Sequence, residues 1–270
     1  KESARLAGVY AADDPDVAGR MRIDADGLRD VLAVTIAQNH PERPNSIPDC
    51  RYEACRQFLA YFDRIYTVNY DLLLYWALMH DDSDYEVNSD DGFRQPDVEP
   101  EDYVVWKVQR TGSQNVHYLH GALHIFDAGA ELQKYTWSNT GIPLIDQIRV
   151  ALEEDRYPLF VAEGTSDQKM AAIQHSGYLN RSYRSFAKIG GALFIFGHSL
   201  AQNDEHIIEL VEQNKVKKVY VGLYGDPESE ANRRIITRAS MIPERREASF
   251  RRSAVEVEFY DAETANVWGV

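Results

Sequence analysis

An alternation of short apolar runs and helical patterns in the second half of the chain constrains the fold more than any other feature. The apolar runs are typical of buried strands and lie at 159–162, 192–196, 218–223 and 255–260. The helical patterns lie at 142–154, at 166–188 with a weak point at Gly177, at 204–214 and at 227–240. Strands that alternate with helices and are apolar throughout form a parallel sheet covered on both faces. We therefore expect a doubly wound, mostly parallel α/β sheet.

The first half of the chain is predicted to contribute a helical N-terminal region and one strand–helix unit. Residues 1–62 show helical patterns, interrupted by a loop at 40–48 that contains three prolines. A Rossmann-like sheet over 63–270 would complete a single domain. An acidic, proline-containing stretch at 81–102 is predicted to be a surface loop. The pattern begins inside a helix at Lys1, so we expect further residues upstream of it.

The charge balance excludes several classes of partner. The 270 residues carry 29 Lys and Arg against 43 Asp and Glu, a net charge of −14, which disfavours binding to nucleic acid or to an anionic membrane. No apolar stretch is as long as a membrane span, and no signal peptide is visible. Cys50 and Cys55 are the only cysteines, too few for a four-cysteine zinc site. A cytoplasmic location is the simplest expectation.

Polar residues follow three of the predicted strands at the point where each strand ends. Asn69 and Asp71 come after the strand at 65–68 and before an apolar helix, His120 follows a second apolar run, and Gly197 and Ser199 follow a third. Because ligands bind at the carboxyl ends of parallel strands, we expect a functional site there. For Asn69 and Asp71, capping of the following helix is an equally good explanation from this stretch alone.

Two common chemistries fit these residues poorly. Gly197-His198-Ser199 resembles the nucleophile elbow of α/β-hydrolases, but Ala201 replaces its second glycine. The only histidine after Ser199 is His206, seven positions on and too close to be the usual base. These departures argue against a serine hydrolase.

A metal site is not expected among His117, His120 and His124, because the first two point to opposite faces of a strand and Gly121 breaks any helix there. His117 and His124 are predicted to be packed or surface residues. Lys169, near the start of a helix, is predicted to be an exposed lysine rather than a phosphate ligand.

Three short motifs occur in a fixed order, each at a strand end. They are Thr67-Val68-Asn69-Tyr70-Asp71, then Leu119-His120-Gly121, then Phe196-Gly197-His198-Ser199-Leu200 with Asp204. Together they resemble the successive motifs of bacterial sirtuin-like NAD-consuming domains, and longer phrases at 69–76, 118–124, 158–164 and 259–262 resemble an uncharacterised family within that superfamily. The four-cysteine zinc module of the protein deacylases is absent, and so is the glycine-rich loop that cradles the pyrophosphate. We expect that loop upstream of residue 1.

The resemblance implies a role for each matching position. Asn69 would hold the nicotinamide ribose and the attacking water, His120 would be the general base, and Asp71 would orient them. The remaining matching positions would contact the bound dinucleotide: Thr67, Gly121, Gly197, Ser199 and Asp204. Cleavage of the nicotinamide–ribose bond passes through an oxocarbenium-like state, and histidine supplies a base of near-neutral pKa.

The resemblance thus implies an NAD glycohydrolase that releases nicotinamide and ADP-ribose, with NAD as substrate, no metal, and a role as an effector of anti-phage defence. Its expected partners are further copies of itself or a defence-system protein such as an ATPase. Two other classes stay open. One is a sensor that binds NAD or ADP-ribose without turnover. The other is a partner-binding module that uses the arginine pairs at 245–246 and 251–252.

Overall fold

The computed structural model describes residues 40–269 apart from 81–82, 98–100, 111, 155, 162–163 and 249–252, together with scattered positions between 17 and 35. The chain divides into two compact units. The first comprises Lys1–Ser46, Gln95–Val105 and Leu123–Leu159, and the second comprises Ile47–Arg94, Trp106–Ala122 and Phe160–Val270. The expectation of further residues upstream of Lys1, and most of the helical pattern expected before residue 40, lie outside the described residues.

The described residues form short strands and helices throughout. The strands are β1 (Ile65–Thr67), β2 (Phe93–Arg94), β3 (Tyr103–Trp106), β4 (Val116–Tyr118), β5 (Gly121–Asp127), β6 (Leu132–Tyr135), β7 (Pro158–Phe160), β8 (Gly190–Ile195), β9 (Lys215–Leu223) and β10 (Glu256–Asp261). The helices are α1 (Asp49–Leu59), α2 (Leu73–Met79), α3 (Trp137–Thr140), α4 (Leu144–Glu153), α5 (Ser166–His175), α6 (Gly177–Phe186), α7 (Glu205–Gln213) and α8 (Glu230–Ala248).

The first unit is built on strands that run in the order β3-β6-β5-β7. Strand β6 is antiparallel to both β3 and β5, with Phe126 opposite Gln133. The turn between β5 and β6 is closed by the N–H of Ala128, which donates to the carbonyl of Glu131 at 3.0 Å. A connection this short can join only antiparallel strands. Helix α4 buries Ile145 and Ile148 completely.

The second unit contains two parallel sheets. Strands β8, β9 and β10 are parallel in the order β10-β9-β8, and β1 is parallel to β4. A hydrophobic core joins Val219 and Val221 of β9 to Ile208 and Val211 of α7 and to Ile242 of α8. Because β9 alternates buried and more exposed residues over much of its length, one of its faces supplies the apolar contacts for the helices.

The protein is therefore a mixed α/β protein with several sheets, partly parallel and partly antiparallel. The predicted order of strands and helices after residue 142 is confirmed, but the antiparallel pairs of the first unit depart from the mostly parallel expectation. The predicted helix at 166–188 is two helices, because Ser176 is extended and its hydroxyl caps the amide of Leu179. The predicted helix at 227–240 begins three residues later and continues through Pro243 to Ala248. Among the described residues, no helix is long and apolar enough to cross a membrane.

Candidate active site

The parallel pair β1 and β4 places two of the predicted motifs at one edge of a sheet. Thr67 pairs with Tyr118, and the N–H of Leu119 donates to the carbonyl of Thr67 at 2.8 Å. Asn69 and His120 each lie two residues beyond this pairing. They therefore leave neighbouring strands in register at the same carboxyl edge, as the sequence predicts for a ligand site of an α/β sheet.

The residues after β1 form a tight turn into helix α2. The N–H of Asn69 donates to Thr67 Oγ1 at 3.0 Å, and the Asn69 side chain is exposed. Asp71 Oδ1 accepts the N–H of Leu73, the first residue of α2, at 2.9 Å. Asp71 thus satisfies one of the free amides at the start of the helix. The capping alternative describes Asp71 in this structure, and its orienting role stays a prediction.

His120 lies in a buried cluster of titratable side chains. Its side chain is only 2% exposed. Its Nε2 atom is 3.1 Å from Nε2 of His206 and 4.0 Å from Oδ1 of Asp204. Two residues named from the sequence, His120 and Asp204, are therefore brought together, and His206 joins them.

Asp204 is the centre of charge in this cluster. It lies in the short 3₁₀ turn Gln202–Asp204 before α7 and is 14% exposed. Lys169 Nζ donates to Asp204 Oδ1 at 2.9 Å, and His198 Nε2 is 3.5 Å from Oδ2. Burial favours the neutral acid, but the close contact with His198 and the hydrogen bond from Lys169 outweigh it and lower the pKa of Asp204 below its ordinary value. Asp204 is therefore a carboxylate at neutral pH.

Helix α5 carries Lys169 into the cluster. The helix begins with a capping box in which the Thr165 hydroxyl accepts the N–H of Gln168 and the Gln168 side chain accepts the N–H of Thr165. Lys169 follows one position later and is 3% exposed. The prediction of an exposed lysine is wrong, because the Lys169 ammonium is buried and donates to the Asp204 carboxylate rather than to solvent.

The loop after β8 brings His198 to the same carboxylate. Gly197 and Leu200 both have left-handed backbone conformations, with φ of 67° and 50°, and glycine adopts this region at little cost. The N–H of Leu200 donates to His198 Nδ1 at 2.9 Å. Neutral His198 therefore carries its proton on Nε2, the atom that faces Asp204. Gly197 and Ser199 are exposed at this loop, and their predicted contacts with a dinucleotide stay predictions.

Burial keeps the two paired histidines neutral. It lowers the pKa of His120 to about 4, against the opposing effect of Asp204 and with the help of His206, Lys169 and His198. It also lowers the pKa of His206 to about 4, again opposed by Asp204. At neutral pH the cluster thus holds the carboxylate of Asp204 and the neutral imidazoles of His120 and His206, so a basic ring nitrogen is available.

The same atoms have the spacing of a metal site. One ligand atom from each of His120, Asp204 and His206 lies within 4.8 Å of the others, and imidazole and carboxylate are common ligands of divalent metals. Lys169 occupies Asp204 Oδ1, however, and a metal would have to displace or repel this ammonium. The arrangement favours an acid–base cluster over a metal centre.

The other histidines of the 117–124 stretch lie elsewhere. His117 stacks on the ring of Tyr66 at 4.8 Å between centroids and contacts Ser182 and Ser185. His124 is completely buried in the first unit. Of the two predicted alternatives, packed or surface, the structure shows that both histidines are packed.

Sequence reasoning missed His206 and Ser166. His206 belongs to the first turn of α7, and its ring Nδ1 is 3.1 Å from Ser166 Oγ of α5. Two sequence signals pointed to these residues. Each lies in the first turn of a helix that follows a predicted strand, and His206 is only two positions after Asp204.

These features define a class: an α/β protein with a buried acid–base cluster at the carboxyl ends of parallel strands. The sequence model of the family described as Domain of unknown function (DUF4917) matches residues 7–268. The chain belongs to this family. Neither the curated proteins nor the solved structures contain a match.

Proposed function

We propose that the protein is an NAD glycohydrolase that cleaves NAD to nicotinamide and ADP-ribose in the cytoplasm, as an effector of anti-phage defence. The observation that carries the catalytic part is the position of His120, in register with Asn69 and in contact with the Asp204 cluster. The choice of NAD rests on the resemblance of the three motifs to sirtuin-like domains. A doubly wound Rossmann-like arrangement is part of the same proposal.

In this proposal His120 acts as the general base. Its low pKa leaves the ring unprotonated at neutral pH, so it accepts a proton from water or from a ribose hydroxyl without first losing one. Asp204 stabilises the imidazolium that forms, because its carboxylate lies 4.0 Å from His120 Nε2. A positioned base of this kind contributes about 10²–10⁴-fold to a rate.

Asn69 supplies the polar group near the carbon that loses nicotinamide. Its side chain is exposed and its backbone is fixed by Thr67 Oγ1, so the amide is open to a ligand at the strand edge. A carboxamide placed there would orient the ribose and the attacking water during the oxocarbenium-like state. Asp71, Thr67, Gly121, Gly197, Ser199 and Asp204 complete the proposed site.

The phosphates of NAD need donors from outside the cluster. Lys169 is already bound to Asp204 at 2.9 Å, and the chain as a whole is strongly acidic, with a net charge of −14. A glycine-rich loop of the sirtuin-like kind would supply backbone N–H groups for the pyrophosphate.

The experiment follows nicotinamide release from NAD by chromatography for the parent protein, Asn69→Ala and His120→Ala. We expect both variants to lose release while their circular dichroism and melting temperature stay close to the parent values. His175→Ala is the matched control, because this histidine is exposed on α5 and lies outside the cluster. Release at the parent rate from both site variants would contradict the proposal.

The same samples separate the other two classes. If NAD or ADP-ribose raises the melting temperature of the parent protein but no nicotinamide is released, the result would support a sensor and contradict the hydrolase proposal. Neither binding nor release would leave a partner-binding module. Size-exclusion chromatography with and without NAD tests the proposed self-assembly. Co-purification with a defence-system ATPase tests the other proposed partner.

A further inference from the structure

Every described polar contact of the His120 ring is made by one nitrogen. Nε2 faces Nε2 of His206 at 3.1 Å and Asp204 Oδ1 at 4.0 Å. Within the part of the chain that the structure describes, Nδ1 has no hydrogen bond. Two facing imidazole nitrogens at hydrogen-bond distance share a single proton when both rings are neutral, so one ring donates and the other accepts.

His206 is held in place by two neighbouring helices, α5 and α6. Its main-chain N–H donates to Ser166 Oγ at 2.8 Å, and its ring Nδ1 lies 3.1 Å from the same oxygen. The Tyr183 hydroxyl of α6 donates to the carbonyl of His206 at 3.0 Å, and the two rings stack at 6.5 Å. The His206 ring therefore has a fixed orientation, with Nε2 aimed at His120.

Two arrangements of the protons satisfy this chain. In the first, Ser166 donates to His206 Nδ1, His206 donates to His120, and the only lone pair of His120 is occupied. In the second, His120 donates from Nε2 to His206, and His206 donates from Nδ1 to Ser166 Oγ. A hydroxyl oxygen accepts two hydrogen bonds, so Ser166 can take this one beside the main-chain N–H of His206.

The charges around the pair favour the second arrangement. The carboxylate of Asp204 lies near His120 Nε2, and a negative oxygen favours a proton on the nitrogen that faces it. Lys169 and His198 also face the pair across Asp204, and the Tyr183 ring lies against His206. The second arrangement alone leaves a lone pair on His120 Nδ1.

We propose that His206 and Ser166 are positioning residues that hold His120 as its Nε2–H tautomer and leave Nδ1 as the basic nitrogen. This inference rests on the proposed function for its catalytic meaning. In the reaction, a hydroxyl of water or ribose gives its proton to His120 Nδ1. The resulting imidazolium keeps its Nε2–H bond to His206 Nε2, and its positive charge lies beside Asp204.

The tautomer is measured without any substrate. The protein is labelled with ¹⁵N at its eight histidines, and long-range ¹H–¹⁵N spectra at neutral pH distinguish a protonated from an unprotonated ring nitrogen. We expect His120 to carry its proton on Nε2 in the parent protein and in His206→Gln, whose amide oxygen still accepts a hydrogen bond. We expect the proton to move toward Nδ1 in His206→Leu and in Ser166→Ala.

Two variants keep this test independent of folding. If His206→Leu does not fold, Ser166→Ala still tests the proposal, because this variant leaves the His206 ring in place. Tyr183→Phe removes the bond to the His206 carbonyl without touching the chain of ring nitrogens, so its His120 tautomer stays at Nε2. A His120 that carries its proton on Nδ1 in the parent protein, or an Nε2 proton unchanged in both Ser166→Ala and His206→Leu, overturns the proposal.

Activity supplies the second readout. We expect His206→Leu to lower kcat for nicotinamide release by about 10²-fold, within the range that a positioned base contributes, and His206→Gln to restore most of it. His206 is one of the groups that lower the pKa of His120, so its replacement raises that pKa, and the acidic limb of the pH–rate profile of His206→Gln moves to higher pH. A loss of fold would lower the rate without moving this limb.

The two proposals fail in different ways. Without NAD cleavage in the parent protein, the tautomer spectra still decide whether His206 positions His120, and only the hydrolase is lost. With NAD cleavage that disappears in His120→Ala but is unchanged in His206→Leu, the hydrolase stands and the positioning role is overturned.

Discussion

His117 and His120 are three positions apart and look alike by the measures most often used to find active sites. Each side chain is 2% exposed, and burial lowers the pKa of each to about 4. Their neighbours differ. His117 contacts serine hydroxyls, the Gln114 amide and the Tyr66 ring. His120 contacts a carboxylate and a second imidazole.

A lowered pKa alone therefore does not separate the proposed base, His120, from His117. The neighbours of His117 neither gain nor lose protons near neutral pH, so protonation of that ring has no compensating charge. Protonation of His120 is compensated by Asp204 at 4.0 Å. Titratable partners of this kind are typical of functional sites, and they support His120 rather than His117 as the proposed base.

The largest expected effect separates the two histidines by activity. His120→Gln should reduce nicotinamide release by about 10²–10⁴-fold, the share of a general base, whereas His117→Gln should keep the parent rate and lower the melting temperature through its lost ring stacking. Rates and melting curves of the two variants check this. A greater loss of rate in His117→Gln than in His120→Gln would reverse the comparison.

Lys169 should show the next largest effect, this time on stability. Lys169→Ala removes the ammonium from a carboxylate that is 14% exposed, and breaking such a pair costs about 3–5 kcal/mol of unfolding free energy. Urea denaturation measures this loss, with the exposed Lys188→Ala as control. An unfolding free energy equal to that of the control would mean that the pair contributes nothing.

The same variant tests the metal alternative. Removal of the ammonium leaves His120, His206 and Asp204 with ligand atoms within 4.8 Å of one another. We expect Lys169→Ala to bind Co²⁺ with a visible absorption band that the parent protein lacks, and EDTA to leave the parent activity unchanged. Loss of parent activity in EDTA, restored by a divalent metal, would make the cluster a metal centre.

His117 and His120 should both contribute to the pH dependence of stability, together with His206, whose pKa is lowered in the same way. Their pKa values lie at about 4 in the folded protein, below the ordinary 6.5 of the unfolded chain. Between these values the unfolded chain binds more protons, so stability falls as pH is lowered from about 6.5 to about 4. His117→Gln and His120→Gln should each make the melting temperature fall less steeply over this window. Unchanged slopes would show that neither ring is buried neutral.

The smallest effect is expected beside His117. Ser185 Oγ lies 2.9 Å from the Tyr66 hydroxyl and 3.2 Å from His117 Nε2. Ser185→Ala should lower the unfolding free energy by about 1 kcal/mol and leave nicotinamide release unchanged. Chemical denaturation and the release assay check the two parts, and a lowered rate would extend the functional cluster toward His117.

Much of the second unit follows from local sequence. The strands β8, β9 and β10 and the helices between them are predicted because their apolar residues recur with the period of the element. His120 is named because it follows an apolar strand and matches the second motif, and Asp204 is named only through the resemblance of the third motif. The antiparallel pairing of β5 with β6 is missed because Gly129 and its neighbours form a turn too short for the helical connection that a parallel sheet requires.

The parts of the site that sequence reasoning does not find depend on contacts across the chain. Lysine is usually exposed, so its residue type predicts a surface position for Lys169. It is buried because its ammonium pairs with the carboxylate of Asp204, 35 positions further along the chain. Ser166 and His206 are separated by 40 positions, and no local pattern links them. Side chains that pair at such distances are set by tertiary packing, which single-sequence periodicity does not contain.

The long separation between His120 and His206, 86 residues, has a consequence for synthesis. A chain emerges from the ribosome in order, and contacts between distant segments form only after the later segment is free. His120 and His206 therefore cannot meet until α7 has left the ribosome. If the cluster cleaves a dinucleotide on which every cell depends, the topology itself keeps an unfinished chain harmless to the cell that makes it.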